Sequence, residues 1–96
     1  MSQKLANKQA KQVPLDELVE AIRSREDLVK FVRALCLSLK KRPGEWENAD
    51  LESYLEAIGA WVEDMNGYFK GKGEAVPEQP TWKTLGQILL SASVYE

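Results

Sequence analysis

Residues 51–69 read LESYLEAIGAWVEDMNGYF, and this stretch decides the fold class. Apolar side chains recur in it at alternating intervals of four and three residues, which is the spacing of one side of an α-helix. The six residues of this seam are Leu51, Leu55, Ile58, Val62, Met65 and Phe69. A seam of this kind predicts a helix that packs along its whole length, with the seam in the core. Asp50, directly before it, is a typical helix N-cap.

Three further helices are predicted around this one. Ser24 and Thr81 are short polar residues placed to cap helices, Pro43 and Gly44 stop the helix before them, and residues 70–80 (KGKGEAVPEQP) form a loop. The four helices are predicted over about residues 15–23, 25–42, 51–69 and 82–94. Because the connections are short, the predicted fold is a small all-α four-helix bundle whose neighbouring helices are mostly antiparallel.

The 96-residue length allows one domain. We assign residues 14–96 to a single helical domain and residues 1–13 to a flexible basic N-terminal tail. No apolar run approaches the roughly 20 residues that cross a bilayer, and the N-terminus has no signal-peptide pattern. Together with a lone cysteine, Cys36, these features predict a cytoplasmic protein that does not bind membranes.

The net charge of −2 hides an asymmetry along the chain. Residues 1–42 hold ten Lys/Arg against five Asp/Glu, a net of +5, whereas residues 43–96 hold three against ten, a net of −7. The simplest expectation is that the two halves attract each other when the helices pack. The basic tail lacks interleaved aromatic residues, which disfavours nucleic-acid binding.

The chemistry available to the chain is narrow. It has no histidine and one cysteine, which excludes His-based catalysis, cysteine zinc sites and an internal disulfide. Carboxylates are the only plausible catalytic side chains of the chain, and most of them are predicted to face solvent. We therefore predict no catalytic, cofactor or metal residues and a protein that is not an enzyme. An alternative is a small-ligand or metal-binding domain that uses Asp64, Glu63 or Asn48 near Trp46.

Aromatic residues accompany the seam. Tyr54, Trp61 and Tyr68 recur every seven residues beside it, and Trp46 lies in the connection before it. Two interpretations stay open: the rings widen the core, or they form a binding surface partly open to solvent. The second interpretation predicts a partner surface made of Trp46, Tyr54, Trp61, Asp64 and Tyr68.

Four other positions carry expectations. Asn48 is expected to hydrogen-bond the start of the helix over 51–69. Cys36 is expected to be a small core residue. Leu37 and Leu90 fall away from the main apolar stripes of their helices, and this hints at a second buried face. An alternative function is therefore a homodimeric structural bundle.

The chain resembles an uncharacterised family of small bacterial all-helical proteins. The resemblance covers about residues 15–96 and rests on a set of short motifs and single residues: WEN at 46–48, LE at 51–52, LEA at 55–57, AW at 60–61, DM at 64–65, GYF at 67–69, Pro77, Pro80, WK at 82–83, ILL at 88–90 and VYE at 94–96. It implies a short bacterial, cytoplasmic protein, and it brings no activity, cofactor or partner with it. In size and acidity such proteins are similar to the immunity proteins of bacterial toxin systems.

The leading hypothesis is a non-enzymatic protein-binding module, immunity-like or an adaptor. Its acidic, aromatic-flanked surface is expected to attract a basic protein partner. This hypothesis requires that Tyr54, Trp61 or Tyr68 be substantially exposed.

Overall fold

The computed structural model describes residues 14–95. Within them the chain forms helices and turns and no strand, so the prediction of a small all-α bundle is confirmed. The helices are α1 (Leu15–Glu20), α2 (Arg25–Lys41), α3 (Leu51–Gly71) and α4 (Trp82–Ala92), with a 3-10 turn at Pro43–Glu45. The predicted tail over 1–13 lies outside the described residues. No helix within 14–95 has the length and hydropathy needed to cross a membrane.

Side-chain caps fix the starts of the three long helices. Ser24 Oγ accepts a hydrogen bond from the Asp27 amide (3.1 Å), Asp50 from the Ser53 amide (2.8 Å) and Thr81 from the Thr84 amide (3.0 Å). Each cap satisfies one of the amides that a helix N-terminus leaves without a partner in the helix. The predicted caps are confirmed, and these starts agree with the structure to the residue.

The helix α4 is the centre of the described bundle. The other three helices each pack on α4, and α1 also packs on α2, but α2 and α3 do not pack on each other. Tyr54 at the start of α3 bonds Leu89 near the end of α4, so these two helices are antiparallel. In contrast, Phe31 faces Gly86, and the segment after α2 reaches Ser93, so α2 runs in the same direction as α4.

The most buried apolar cluster lies where α1, α2 and α4 meet. It contains Val19, Ile22, Phe31 and Leu35. Leu90 packs against this cluster, so the expectation that it belongs to a second face is wrong. The reason is that α4 is surrounded by three helices and buries more of its circumference than a peripheral helix does. Leu37 is 49% exposed, which agrees with its place opposite the α2 core.

The predicted seam of α3 is largely wrong. Leu51 is 72% exposed, Leu55 56% and Val62 42%, whereas the fully buried residues of the helix are Ala57, Trp61 and Phe69. Because α4 is the one helix of residues 14–95 that packs on α3, only one side of α3 is covered there. Large aromatic rings bury more area per residue than leucine or valine, so the helix turns its aromatic side toward α4. Of the predicted seam, Phe69 alone is fully buried.

The expectation for Cys36 is wrong as well. Its side chain is exposed. On α2 the core stripe consists of Phe31, Leu35 and Ser38, and Cys36 lies one residue beyond Leu35, which is about 100° further around the helix. It therefore lies on the side of α2 that looks toward α3.

Candidate functional site: an open apolar groove

A groove follows from the packing of α2 and α3 on α4. The two outer helices flank α4 without touching each other, so the space between them stays open. Its volume is about 470 Å³, and its lining is almost entirely apolar. Helix α2 supplies Val32, Cys36 and Leu39, helix α3 supplies Leu51 and Tyr54, and helix α4 supplies Leu89 at the floor.

Exposed apolar side chains extend the groove along all three helices. Val29 continues the line of Val32 on α2, Leu55 and Val62 continue the line of Leu51 on α3, and Trp82 and Leu85 continue the line of Leu89 on α4, each at helical spacing. We call these exposed residues the apolar face: Val29, Val32, Leu51, Leu55, Val62, Trp82 and Leu85. Exposed apolar patches of this size are uncommon on monomeric proteins, so the apolar face is the candidate functional surface.

The two edges of the apolar face carry opposite charges. On α2, a basic residue directly follows three of the apolar ones, and on α3 an acidic residue does the same. One residue is about 100° of helix rotation, so these charges stand on the outer side of each helix, farther from the core than the apolar line. The basic rim consists of Lys30, Arg33 and Lys40, and the acidic rim of Glu52, Glu56 and Glu63, all exposed.

Two of the five predicted surface residues form one end of the groove. The rings of Trp46 and Tyr54 lie 5.5 Å apart between centroids. The indole N–H of Trp46 donates to Ser38 Oγ (3.0 Å), and the Tyr54 hydroxyl donates to the Leu89 carbonyl (2.7 Å). Both polar ends are therefore satisfied inside the fold, and the rings present apolar edges to the groove. Burial raises the pKa of Tyr54 to about 12.

The other three predicted surface residues lie elsewhere. Trp61 is 4% exposed and packs edge-on against Tyr68, with 4.9 Å between the ring centroids. Tyr68 is half-buried and carries the Lys72 ammonium 5.1 Å above its ring. Asp64 is exposed and accepts a hydrogen bond from the Tyr95 hydroxyl, and this bond raises the pKa of Tyr95. The structure thus separates the predicted set into two groups.

A second cleft lies on the opposite side of α4. It has a volume of about 650 Å³ and is lined by residues from α1, α3 and α4, with the segment around Trp46 at one end. Glu20 in its wall pairs with Lys83 (2.8 Å) and Lys72 (3.7 Å). The hydrogen bond from Lys83 is the main reason that the pKa of Glu20 is lowered. Glu20 offsets one of these two positive charges, and no group of three or more His, Cys, Asp or Glu within residues 14–95 is placed to hold a metal ion.

The sequence did not predict the groove, although several of the residues beside it were identified. The residues Leu51, Leu55 and Val62 were identified as a regular apolar line, but the line was assigned to the core. The repeated pairs Leu51-Glu52, Leu55-Glu56 and Val62-Glu63 are the available signal, because each puts a charge beside the apolar line. The acidic residue next to each seam position indicates a line that runs close to solvent.

Fold and groove together define a small all-α domain with an open, charge-edged apolar face. The chain belongs to the family of unknown function DUF7660, which matches residues 24–96. The resemblance to an uncharacterised family is confirmed at that level. No curated protein and no solved structure shows significant similarity to the chain.

Proposed function

We propose that this chain is a non-enzymatic protein-binding module, immunity-like or an adaptor, that holds its partner against the apolar face. The observation that supports this most is the exposure of Leu51, Leu55 and Val62 in one line beside the groove. Side chains of this type contribute roughly 1.5–3 kcal/mol each when they pass fully from water into a packed contact. A partner that covers the face therefore gains a large hydrophobic contribution to binding.

The groove refines the acidic, aromatic-flanked surface that the sequence predicts. Trp46 and Tyr54 supply an aromatic wall, and the acidic rim lies along one edge. Trp61 takes no part because its side chain is buried on the side of α3 that packs against α4. A basic segment on the partner would be attracted by the acidic rim, and salt would weaken that attraction.

The test is an affinity capture with matched variants at low and at moderate salt. We expect wild type to retain a stoichiometric protein and Leu55→Lys to lose it, because a charge in the middle of the apolar face must be desolvated on binding. Val94→Lys is the control: Val94 is almost as exposed as Leu55 but lines the second cleft, on the opposite side of α4. Equal capture by both variants would contradict the proposed surface.

A further inference from the structure

We infer that the apolar face joins two copies of this chain in a two-fold homodimer, with the basic rim of each copy against the acidic rim of the other. This inference rests on the proposed function, since it names the protein that the face binds. It is carried by three features of the described residues: the extent of the apolar face, its two oppositely charged rims and the opposite directions of α2 and α3.

The apolar face is large enough for a dimer contact. From their exposed fractions, its seven side chains present on the order of 600 Å² per chain, at the upper limit of what a monomer normally exposes. A standard interface buries about 800 Å² per partner. The apolar face and its two rims together reach that size.

The rims have no ion-pair partners among the residues that the structure describes. None of the three basic and three acidic rim residues makes an ion pair within residues 14–95. The bundle keeps α2 and α3 apart on either side of α4, so the opposite charges of these two helices face each other only across the width of the groove. A second copy placed groove to groove brings each rim to a complementary one.

The helix directions select one two-fold arrangement. An axis parallel to the helices sets α2 of one copy over α3 of the other, so that Arg33 and Lys40 lie along the line of Glu52 and Glu56. An axis across the helices sets α2 over α2 and places like charges opposite each other, which is unfavourable. The first arrangement also makes the facing helices antiparallel, because α2 and α3 run in opposite directions within each chain.

Charge exchange between the rims is the decisive experiment. One variant is Arg33→Glu with Lys40→Glu, and the other is Glu52→Lys with Glu56→Lys. Alone, each opposes like charges at both edges, and we expect its dimer to dissociate at least about tenfold more readily than wild type. Mixed in equal amounts, the two variants are complementary at both edges, and we expect the heterodimer to reach wild-type stability. Sedimentation equilibrium at low salt measures both.

Cys36 provides a native probe of the same contact, because it lies in the groove and is the only cysteine of the chain. We expect its reaction with a thiol reagent to slow as wild-type concentration rises, and to slow again when the two charge variants are mixed. Circular dichroism shows whether each variant alone keeps the fold, and recovery on mixing cannot come from unfolded chains.

The outcomes separate this inference from the proposed function. A wild type that stays monomeric at about 1 mM overturns the homodimer, since weaker association has no practical consequence. If such a monomeric wild type still captures another protein that Leu55→Lys fails to capture, the proposed function stands without the homodimer. If neither self-association nor capture responds to changes in the apolar face, both fail. A wild-type dimer whose charge variants do not recover on mixing overturns the proposed arrangement of the two copies.

Discussion

Asn48 stabilises the C-terminal end of α4 and not the start of α3. It is expected to bond the start of α3, but its Nδ2 donates to the carbonyls of Ala92 (2.9 Å) and Tyr95 (2.8 Å) at the end of α4. Those carbonyls lack partners in the helix, so a side-chain amide satisfies them. Asp50 already caps α3 and leaves Asn48 free for this role.

We therefore expect Asn48→Ala to lower the free energy of unfolding by about 1–2 kcal/mol, because two half-buried hydrogen bonds are lost. Asn48→Asp should cost more, since a carboxylate cannot donate and places negative charge at a helix C-terminus. Urea unfolding measures both, with the exposed Asn66→Ala as a control. An Asn48→Ala variant as stable as wild type would contradict the donor role, and equal stability of the Ala and Asp variants would contradict the charge effect.

Tyr54, which lines the groove, makes the stability of the fold depend on alkaline pH. Its folded pKa of about 12 lies above the value of about 10 expected in the unfolded chain, so the fold favours the protonated hydroxyl. This contribution is complete below about pH 10 and is lost as the pH rises toward 12. We expect wild type to lose about 1 kcal/mol more than Tyr54→Phe between about pH 9 and pH 11.5, less than the full shift would give because the ring is only half-buried. Urea unfolding at both pH values measures this difference, and parallel losses would contradict it.

The helix α4 approaches α1 and α2 through a glycine. A Cβ built on Gly86 would lie 2.5 Å from Ile22 Cδ1 and 3.2 Å from Val19 Cγ2. Alanine favours a helix by about 1 kcal/mol over glycine, but overpacking a core costs roughly 1–3 kcal/mol. The closest atom is the end of the flexible Ile22 side chain, so shortening that side chain should remove the clash.

We expect Gly86→Ala to destabilise the wild-type chain by about 1 kcal/mol and to be neutral or stabilising in an Ile22→Val background, where the clashing methyl is gone. A double-mutant cycle by urea unfolding measures the coupling. Gly59→Ala on α3 is the control, because nothing lies within 4 Å of a Cβ built there. Additive effects at positions 22 and 86 would show that the close approach carries no cost.

Helix limits and helix orientation differ in how far local sequence determines them. Caps act within four residues, so Ser24, Asp50 and Thr81 were identified from sequence and mark the true helix starts. The orientation of α3 depends on what packs against it. An apolar seam predicts which side chains need cover, but it does not say whether the same chain supplies that cover. Within residues 14–95, Leu51 and Leu55 stay exposed.

The charge asymmetry of the chain does not bring its basic and acidic helices together as expected. The basic first half and the acidic second half were expected to attract each other on packing, yet α2 and α3 stay apart. Within residues 14–95, the ion pairs between distant parts of the two halves run from Glu20 to Lys72 and Lys83, which are minority charges in their own halves. The other pair across the boundary, Arg42 with Glu45, is local. Overall composition predicts net attraction, but the pairs that form depend on which residues the fold brings together.

The sequence predicts only part of the candidate site, because the outcome depends on which residues the fold brings together. Trp46 and Tyr54 were identified as surface aromatics and lie at the groove, whereas Trp61, Asp64 and Tyr68 belong to other surroundings. The heptad spacing of Tyr54, Trp61 and Tyr68 places them on one side of a helix but does not state whether a neighbour covers that side. Only the position of α4 decides it.

The central place of α4 also sets an order of events during synthesis. Helices α1, α2 and α3 precede α4 in the chain, and each buries its apolar side against it. While the ribosome has made only these three, the α1–α2 pair lacks its main cover and α3 has none. The contacts that complete the fold join residues as far apart as Val19 and Gly86, so they form late and over a long loop. Until α4 has been made, the contacts of residues 14–95 that can already form are the helix caps, the α1–α2 contact and a few side-chain pairs such as Trp46 with Tyr54.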